Sequence, residues 1–566
     1  MLEKILQEKQ VELPGAQQVF ASNTRIKQLG PVWLSLSAAG LVACFLLMMT
    51  PLIRVPDPVL TLHFVAGEIL ARASNWLPEQ LGGLQAATSA YGEFFGLLSL
   101  AFLCYALGAL LVRHQMVTEN QRVVRGLIWL GTLLVGSICV VTPAALSHDT
   151  LVYASYSRIL STYHANPYFV PISAFPRDHF TIYNYWASAV SAYGPIWMLI
   201  CGCFGWFLQP DQNAYTLAFR IFALLFALVN LWLVGHILQT LGRSARTVTL
   251  GMLLYAWNPL LLLESGLGGH NDDFMMTFVL IGILLAAGAE KRGQMLRPRG
   301  YLPVVALLTL AALVKFTALP VLATYLLFLF CKALRQVTES PRETLLQAAL
   351  RHWRAARSVL TWSLASALLL ALVFYGPFWL GHNFAEIITS FKTPPSSLYA
   401  ENSFMRSVAE WQNQHLNEHN GLLDLLSNRH FWDALTIVGI AFCLLVGSTR
   451  LWRKPTTRTF ILVALATLSL VLLVTPWFFA WYLNWLLGLG ILCLPVRLNR
   501  IEAALLALVF TFSFSALFTY LFNGNLFGSS YYLISLFTTI PPVCAFLLTL
   551  VCWQAGPSEK TGAKEL

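Results

Sequence analysis

Long apolar stretches separated by short polar ones set the pattern of this chain. A helix needs about 20 consecutive apolar residues to cross a hydrocarbon layer of roughly 30 Å. Windows of that kind recur near 31–52, 93–113, 124–146, 214–239, 246–264, 273–289, 301–331, 358–381, 433–449, 459–475, 480–495, 501–522 and 531–553. The run 301–331 is too long for one ordinary span and is interrupted at Lys315 and Pro320, so it divides into two short helices. The pattern predicts an all-α integral membrane protein, a multi-span helical bundle with about 14 transmembrane helices.

Lys and Arg gather in the short loops 113–125, 243–246, 291–299, 332–357 and 450–458, with a weaker pair at Arg497 and Arg500. Cytoplasmic loops carry such an excess. Placing these loops in the cytoplasm puts both termini there, with 1–30 and 554–566 as cytoplasmic segments around one transmembrane domain, 31–553. The outer face then receives the long loops 147–197 and 382–432, residues 264–273, the turn at Lys315, and residues 475–481 and 523–531. Residues 189–208 are apolar enough to span, yet a crossing there would turn 243–246 outward and 270–272 inward. Their Trp, Tyr, Gly and Pro suit a helix at the outer interface or a re-entrant hairpin. Leu62, Phe64, Ile69, Leu70 and Trp76, within 56–93, predict an amphipathic interfacial helix.

Composition agrees: 57% of the residues are hydrophobic and 11% charged, against about 25% charged in soluble domains. The net charge of +10 comes from clusters between apolar runs, so no nucleic-acid partner is expected. The ten Cys lie in or beside apolar runs and read as core residues, not as a disulfide framework or a zinc site. The first 28 or so residues show no cleavable signal pattern, so the first span is expected to stay.

The unusual polar residues all fall on the face assigned outward by charge. His148-Asp149 closes an apolar run; Asp149 reads either as a helix cap or as a carboxylate able to take a proton from a hydroxyl. Arg158 and Arg177 run against the local charge trend and can meet a phosphate. Residues 264–273, ESGLGGHNDD, offer a cap at Asn271 or Asp272, but a cap explains neither His270 nor the adjacent carboxylates. Lys315 sits between two half-helices, either snorkelling or facing an anionic phosphate in a cavity. The aromatic TPWFFAWY, 475–482, is an interfacial anchor or a platform for sugar rings. A divalent cation is the weaker reading of the 264–273 cluster.

Together, Asp149 with Tyr153 to Arg158, Asn166-Pro167-Tyr168, Tyr193-Gly194-Pro195-Ile196-Trp197, Asn258-Pro259 with Gly269-His270-Asn271-Asp272, Lys315 with Pro320, and Pro476-Trp477 with Trp481-Tyr482 resemble a known family. It is the polyprenol-phosphate-mannose-dependent mannosyltransferases of the GT-C superfamily, and the matches run from about residue 140 to 490. The resemblance implies a GT-C-like bundle in the cytoplasmic membrane, working on its outer face. It implies transfer of a hexose, mannose, from a polyprenyl-phosphate-linked sugar donor to a glycan or glycolipid acceptor, with inversion.

By the same analogy Asp149, beside His148, is the general base. Lys315, His270, Arg158 and Arg177 are the candidates for the leaving phosphate, Lys315 and His270 on the motifs around them. Asp272, Asn271, Tyr153, Tyr168, Tyr193, Trp477 and Tyr482 are the candidate substrate contacts, with Asp273 in support. Where the superfamily's first loop carries two carboxylates this chain has His148-Asp149. That departure disfavours a divalent cation, so no cofactor is expected. The motifs do not separate mannose from lipid-linked glucose or arabinose. A transporter or lipid flippase is the rival outside the family, against which stand the lack of an internal repeat and the gathering of polar residues on one face.

Overall fold

The computed structural model describes residues 14–54, 62–80, 87–114, 120–337, 344–415, 421–494, 499–522 and 532–552. Among the described residues the regular structure is helical, apart from an isolated bridge between Glu401 and Trp477. The expected segment 554–566, the turn 523–531 and Arg497 lie outside the described residues, as do residues 1–13 of the segment 1–30.

Eleven described helices are long and apolar enough to cross a membrane, and twelve crossings result if the bent pair Ala245–Ala256 and Pro259–Gly268 counts as one. The protein is therefore an all-α, multi-pass membrane protein. The expectation of about 14 spans exceeds this because two of its windows, Pro298–Val314 and Ala480–Leu492, are shorter apolar helices. The first ends where Lys315 adopts an extended backbone, φ −152° and ψ 125°, and a second helix, Leu319–Val337, starts just beyond it. The predicted division at Lys315 is thus present, with Pro320 in the first turn of the next helix, where its missing N–H is harmless.

Residues 189–208 supply only the helix Pro195–Phe207. Thirteen residues rise about 20 Å, too little to cross. Between 56 and 93 the structure has the helix Val65–Gln80, with Leu62 and Phe64 buried just before it and Ile69 exposed; 55–61 and 81–86 lie outside the described residues.

The helix Asp272–Lys291 is central, with 72% of its apolar window buried. Ala356–Trp379 and Arg429–Arg453 are peripheral, at 11% and 17%, and expose rows of Leu, Val, Ile and Phe such as Leu364, Leu368, Leu372, Ile437 and Phe442. Such faces suit hydrocarbon, because their backbone groups are satisfied within the helix.

Helix ends sort by chemistry. At one end Glu290 sits 3.8 Å from Lys332 and accepts from the Thr457 backbone N–H. There Lys332 and Arg335 donate to the carbonyls of Pro455 and Trp452, and Arg458 pairs with Glu502 at 2.8 Å. The opposite ends of the same helices carry Asp272, Lys315 and Thr475, and these lead into the candidate site.

Candidate active site

Past the helix Gln121–Val141 the chain runs irregularly to His148 and re-enters a helix over Asp149–Ser161. His148 occupies the N-cap position without a side-chain cap bond. Asp149 is the first helical residue, and its carboxylate turns toward other elements instead of capping. Its Oδ2 accepts from the hydroxyls of Tyr153 and Tyr193, each at 3.3 Å, and lies 3.3 Å from Nδ1 of His270. No described residue bonds Oδ1, and the 19% of the side chain that is exposed faces a cavity of about 480 Å³.

His270 arrives there by an unusual turn. Asn258 caps the short helix Pro259–Leu263, which runs into a single π-turn, Glu264–Gly268. Gly269 follows with φ +67°, a conformation that side chains rarely adopt. A Cβ on Gly268 would lie 2.5 Å from the His270 ring and 3.0 Å from Glu264 Oε2. Glycine is required because the imidazole folds back over that position. The ring is fully buried, stacks on Trp481 at 3.9 Å, and places Nε2 3.2 Å from Glu264 Oε2. Glu264 Oε1 accepts from the Tyr520 hydroxyl at 2.7 Å.

Electrostatics follow from this sandwich. Burial works against a charge on His270, but the carboxylates of Asp149 and Glu264 outweigh it and raise the imidazole to about 9. Burial likewise opposes ionisation of Asp149; His270, Lys315 and the Tyr153 hydroxyl outweigh it and hold the carboxyl below its ordinary range. Tyr153 and Tyr193 are pushed well above the ordinary phenol value, first by burial and then by the Asp149 charge, so they remain neutral donors.

A second charged pair lies beside the first. Lys315 Nζ donates to both carboxylate oxygens of Asp272, at 2.9 and 3.0 Å, and Trp485 Nε1 donates to Asp272 Oδ1 at 2.6 Å. The ammonium lies 4.5 Å from the Tyr482 ring centre and 5.9 Å from that of Tyr193. With 9% of its side chain exposed, Lys315 is enclosed at the cavity wall and does not snorkel.

Both loops are tied to one buried guanidinium. Arg220 donates to the carbonyls of Val140 at 3.2 Å, Thr142 at 2.7 Å and Ala144 at 2.5 Å, ahead of Asp149, and to that of Leu267 at 2.9 Å, ahead of His270. These include carbonyls that a helix C-terminus leaves unpaired, which a cation satisfies well.

The cavity is completed by Trp186, Tyr193, Trp477, Phe479, Trp481 and Tyr482, and by Arg429. Arg429 donates to the carbonyls of Tyr399 and Ser396 and lies 3.4 Å from Asp433. Glu401 pairs with the backbone on either side of Trp477, so the loop 382–432 forms part of this wall. One side of the cavity is apolar, with Thr436, Ile437, Val471 and Leu472; Ile437 is 68% exposed on the peripheral face.

Of the expected residues, Asp149, Lys315, Tyr193, Trp477 and Tyr482 line this one cavity. Asp272 and Tyr153 sit directly behind it, holding Lys315 and Asp149. Three expected phosphate contacts lie elsewhere. Arg158 is spent on Asp178 at 2.9 Å, Arg177 is exposed away from the cavity, and both ring nitrogens of His270 face carboxylates. Tyr168 donates to the Tyr193 carbonyl and lines a different cavity, and His148 is not among the lining residues. Asn271 and Asp273 are buried, their side chains without hydrogen-bond partners among the described residues. Sequence reading missed Glu264, Arg220 and Arg429 as site residues. The first two had a signal, a charge inside an apolar run. Among the described residues no group of three His, Cys, Asp or Glu is set to hold a metal ion.

Residues 37–331 match the model of the MptA_B family, described as alpha-(1->6)-mannopyranosyltransferase, N-terminal domain. The match takes in Asp149, Glu264, His270, Asp272 and Lys315, and stops short of Arg429 and Trp477. No curated protein and no solved structure matches the chain.

Proposed function

The chain belongs to the MptA_B family of alpha-(1->6)-mannopyranosyltransferases and is a glycosyltransferase of the membrane, and we propose that it transfers mannose from a polyprenyl-phosphate donor to a hydroxyl of a glycan or glycolipid acceptor, with Asp149 as general base. In this reading the acceptor O–H gives its proton to Asp149 Oδ1 as its oxygen attacks the anomeric carbon. The bond from that carbon to the phosphate oxygen breaks, and the polyprenyl phosphate leaves with the electron pair. Attack opposite the leaving group inverts the centre.

The observation that carries the reading is the make-up of one cavity. A carboxylate with one oxygen accepting from two phenols beside an imidazole nitrogen and the other open stands near an enclosed ammonium, under aromatic walls, in a space whose apolar side reaches a peripheral helix face. Lys315 has three N–H donors, of which Asp272 uses two, leaving one for a phosphate oxygen. The Trp and Tyr rings offer faces for a sugar, and the side at Ile437 and Val471 offers a passage for a lipid tail. A monophosphate leaving group makes modest demands on a metal. We place the reaction on the extracytoplasmic face of the cytoplasmic membrane, since the basic loops gather at the other end of the bundle.

The test is Asp149→Asn, purified and reconstituted, with a polyprenyl-phosphate mannose donor. The substitution keeps the shape of the site, and mannose transfer should fall by about 10²–10⁴-fold, the contribution of a positioned base. Near-wild-type turnover would remove Asp149 from that role.

A further inference from the structure

Glu264 has no direct place in the proposed reaction, being 1% exposed and separated from the cavity by His270. Yet the chain is shaped to put it there. The π-turn, the left-handed Gly269 and the side-chain-free Gly268 fold Glu264 and His270 against each other, and Tyr520 fixes the far oxygen of Glu264 from another helix. The result is a buried line of groups: Tyr520 hydroxyl, Glu264, His270, and Asp149 with its free oxygen at the cavity.

We propose that Glu264 is a positioning residue for the transferase, holding His270 as a cation whose charge and ring fix Asp149 ionised with Oδ1 toward the acceptor. This rests on the reading of Asp149 as base. A charge buried at His270 is costly unless compensated. Two flanking carboxylates compensate it, and the ring stacked on Trp481 cannot swing away from either. The other charged and titratable groups facing this centre are Asp273, the Lys315–Asp272 pair, Tyr153 and Tyr193 through Asp149, and Arg220 beside Gly269. Arg220 is spent on carbonyls and Lys315 on Asp272, so the carboxylate on the far side of His270 is that of Glu264.

The sign of the effect is fixed by the geometry. In the wild type, kcat/KM should fall on the acid side as Asp149 takes up a proton and on the alkaline side as His270 gives one up. Removing the negative charge of Glu264 makes His270 easier to deprotonate, which brings the alkaline limb down. At the pH of the acid limb His270 keeps its proton with or without Glu264, and one carboxylate fewer opposes ionisation of Asp149, so the acid limb does not move up.

The experiment is the pH profile of mannose transfer by reconstituted Glu264→Gln, Glu264→Asp and wild type, with donor KM measured alongside. Glu264→Gln is expected to lower kcat by about 10²-fold, the lower end of what a positioned base contributes. The alkaline limb should move down by about one pH unit, the scale of a neighbouring-charge effect, with the acid limb not raised and donor KM unchanged. Glu264→Asp should restore the alkaline limb toward the wild type. Loss of activity with the alkaline limb unmoved, or full activity with an unmoved profile, would show Glu264 to be structural. Should Glu264→Gln fail to fold, His270→Gln takes its place, and an acid limb no higher than wild type would then overturn the proposal. An active Asp149→Asn defeats the base reading itself, whereas an inactive Asp149→Asn beside an unshifted Glu264→Gln defeats only the role of Glu264.

Discussion

At the scale of single residues, Lys315 shows how a costly group is kept. A lone ammonium among apolar helices is expensive, and Asp272, the Trp485 indole N–H on that carboxylate, and the Tyr482 ring offset the cost. Removing one partner of a buried pair strands the other charge, at about 3–5 kcal/mol. Lys315→Met should therefore lower the melting temperature in detergent more than Lys315→Met combined with Asp272→Asn does; equal values would show that the pair contributes no stability. Both variants should raise the donor KM or lower turnover, and an unchanged donor profile would take Lys315 out of contact with the phosphate. Lys315 and Asp149 were legible in the sequence because each interrupts apolar text. Their partners Asp272, Tyr153, Tyr193 and His270 were singled out as well, but not which pairs with which. Nothing in ESGLGGH announces a π-turn, so the spacing of Glu264 and His270 gave no warning that the two side chains face each other. Arg429 was hidden for another reason: its neighbours Ser396 and Tyr399 lie some thirty residues away in a loop without periodicity.

At the scale of elements, the site depends on breaks placed against breaks. The strap that carries Tyr193 meets the interrupted helix at Lys315, where Gly194 N–H donates to the Val314 carbonyl at 3.0 Å. A Cβ on Gly194 would fall 2.0 Å from the Leu313 carbonyl oxygen and 2.4 Å from its carbon. Backbone cannot step aside as a flexible side chain can, so Gly194→Ala must push the strap off the helix end and carry Tyr193 away from Asp149. A displacement of about 1 Å costs roughly 10²-fold in rate, and that loss of mannose transfer is expected of Gly194→Ala in protein that still purifies as a folded species. Gly96→Ala is the control, since a Cβ there meets nothing within 4 Å, and its activity should be unchanged. Full activity in Gly194→Ala would mean that the strap can shift without consequence. The sequence showed both breaks, through Pro195 and through Lys315 with Pro320. It could not show that they meet, because contact between segments about 120 residues apart is set by how the intervening helices pack.

At the scale of the molecule, hydrophobic runs and charge bias gave the order and the approximate ends of the helices, and overcounted the full crossings. The surplus windows end in the site, where Pro298–Val314 stops at Lys315 and Ala480–Leu492 begins beside Trp477, so both short helices have an end at the cavity. The same packing separates two ends by chemistry, one with Asp149, His270 and Lys315 and the other with Lys332, Arg335 and Arg458. If the basic end is cytoplasmic, Arg177 and Lys291, both exposed, lie on opposite sides of the membrane. Cysteines placed singly at these positions, after replacement of the exposed Cys203, Cys544 and Cys552, can be tested in intact cells with an impermeant thiol reagent. Arg177→Cys should label at once and Lys291→Cys only after permeabilisation. The reverse pattern would put the cavity on the cytoplasmic side, where nucleotide-linked sugars are at hand and a lipid-linked donor has less to recommend it, so one labelling experiment bears on the donor as well as on the topology.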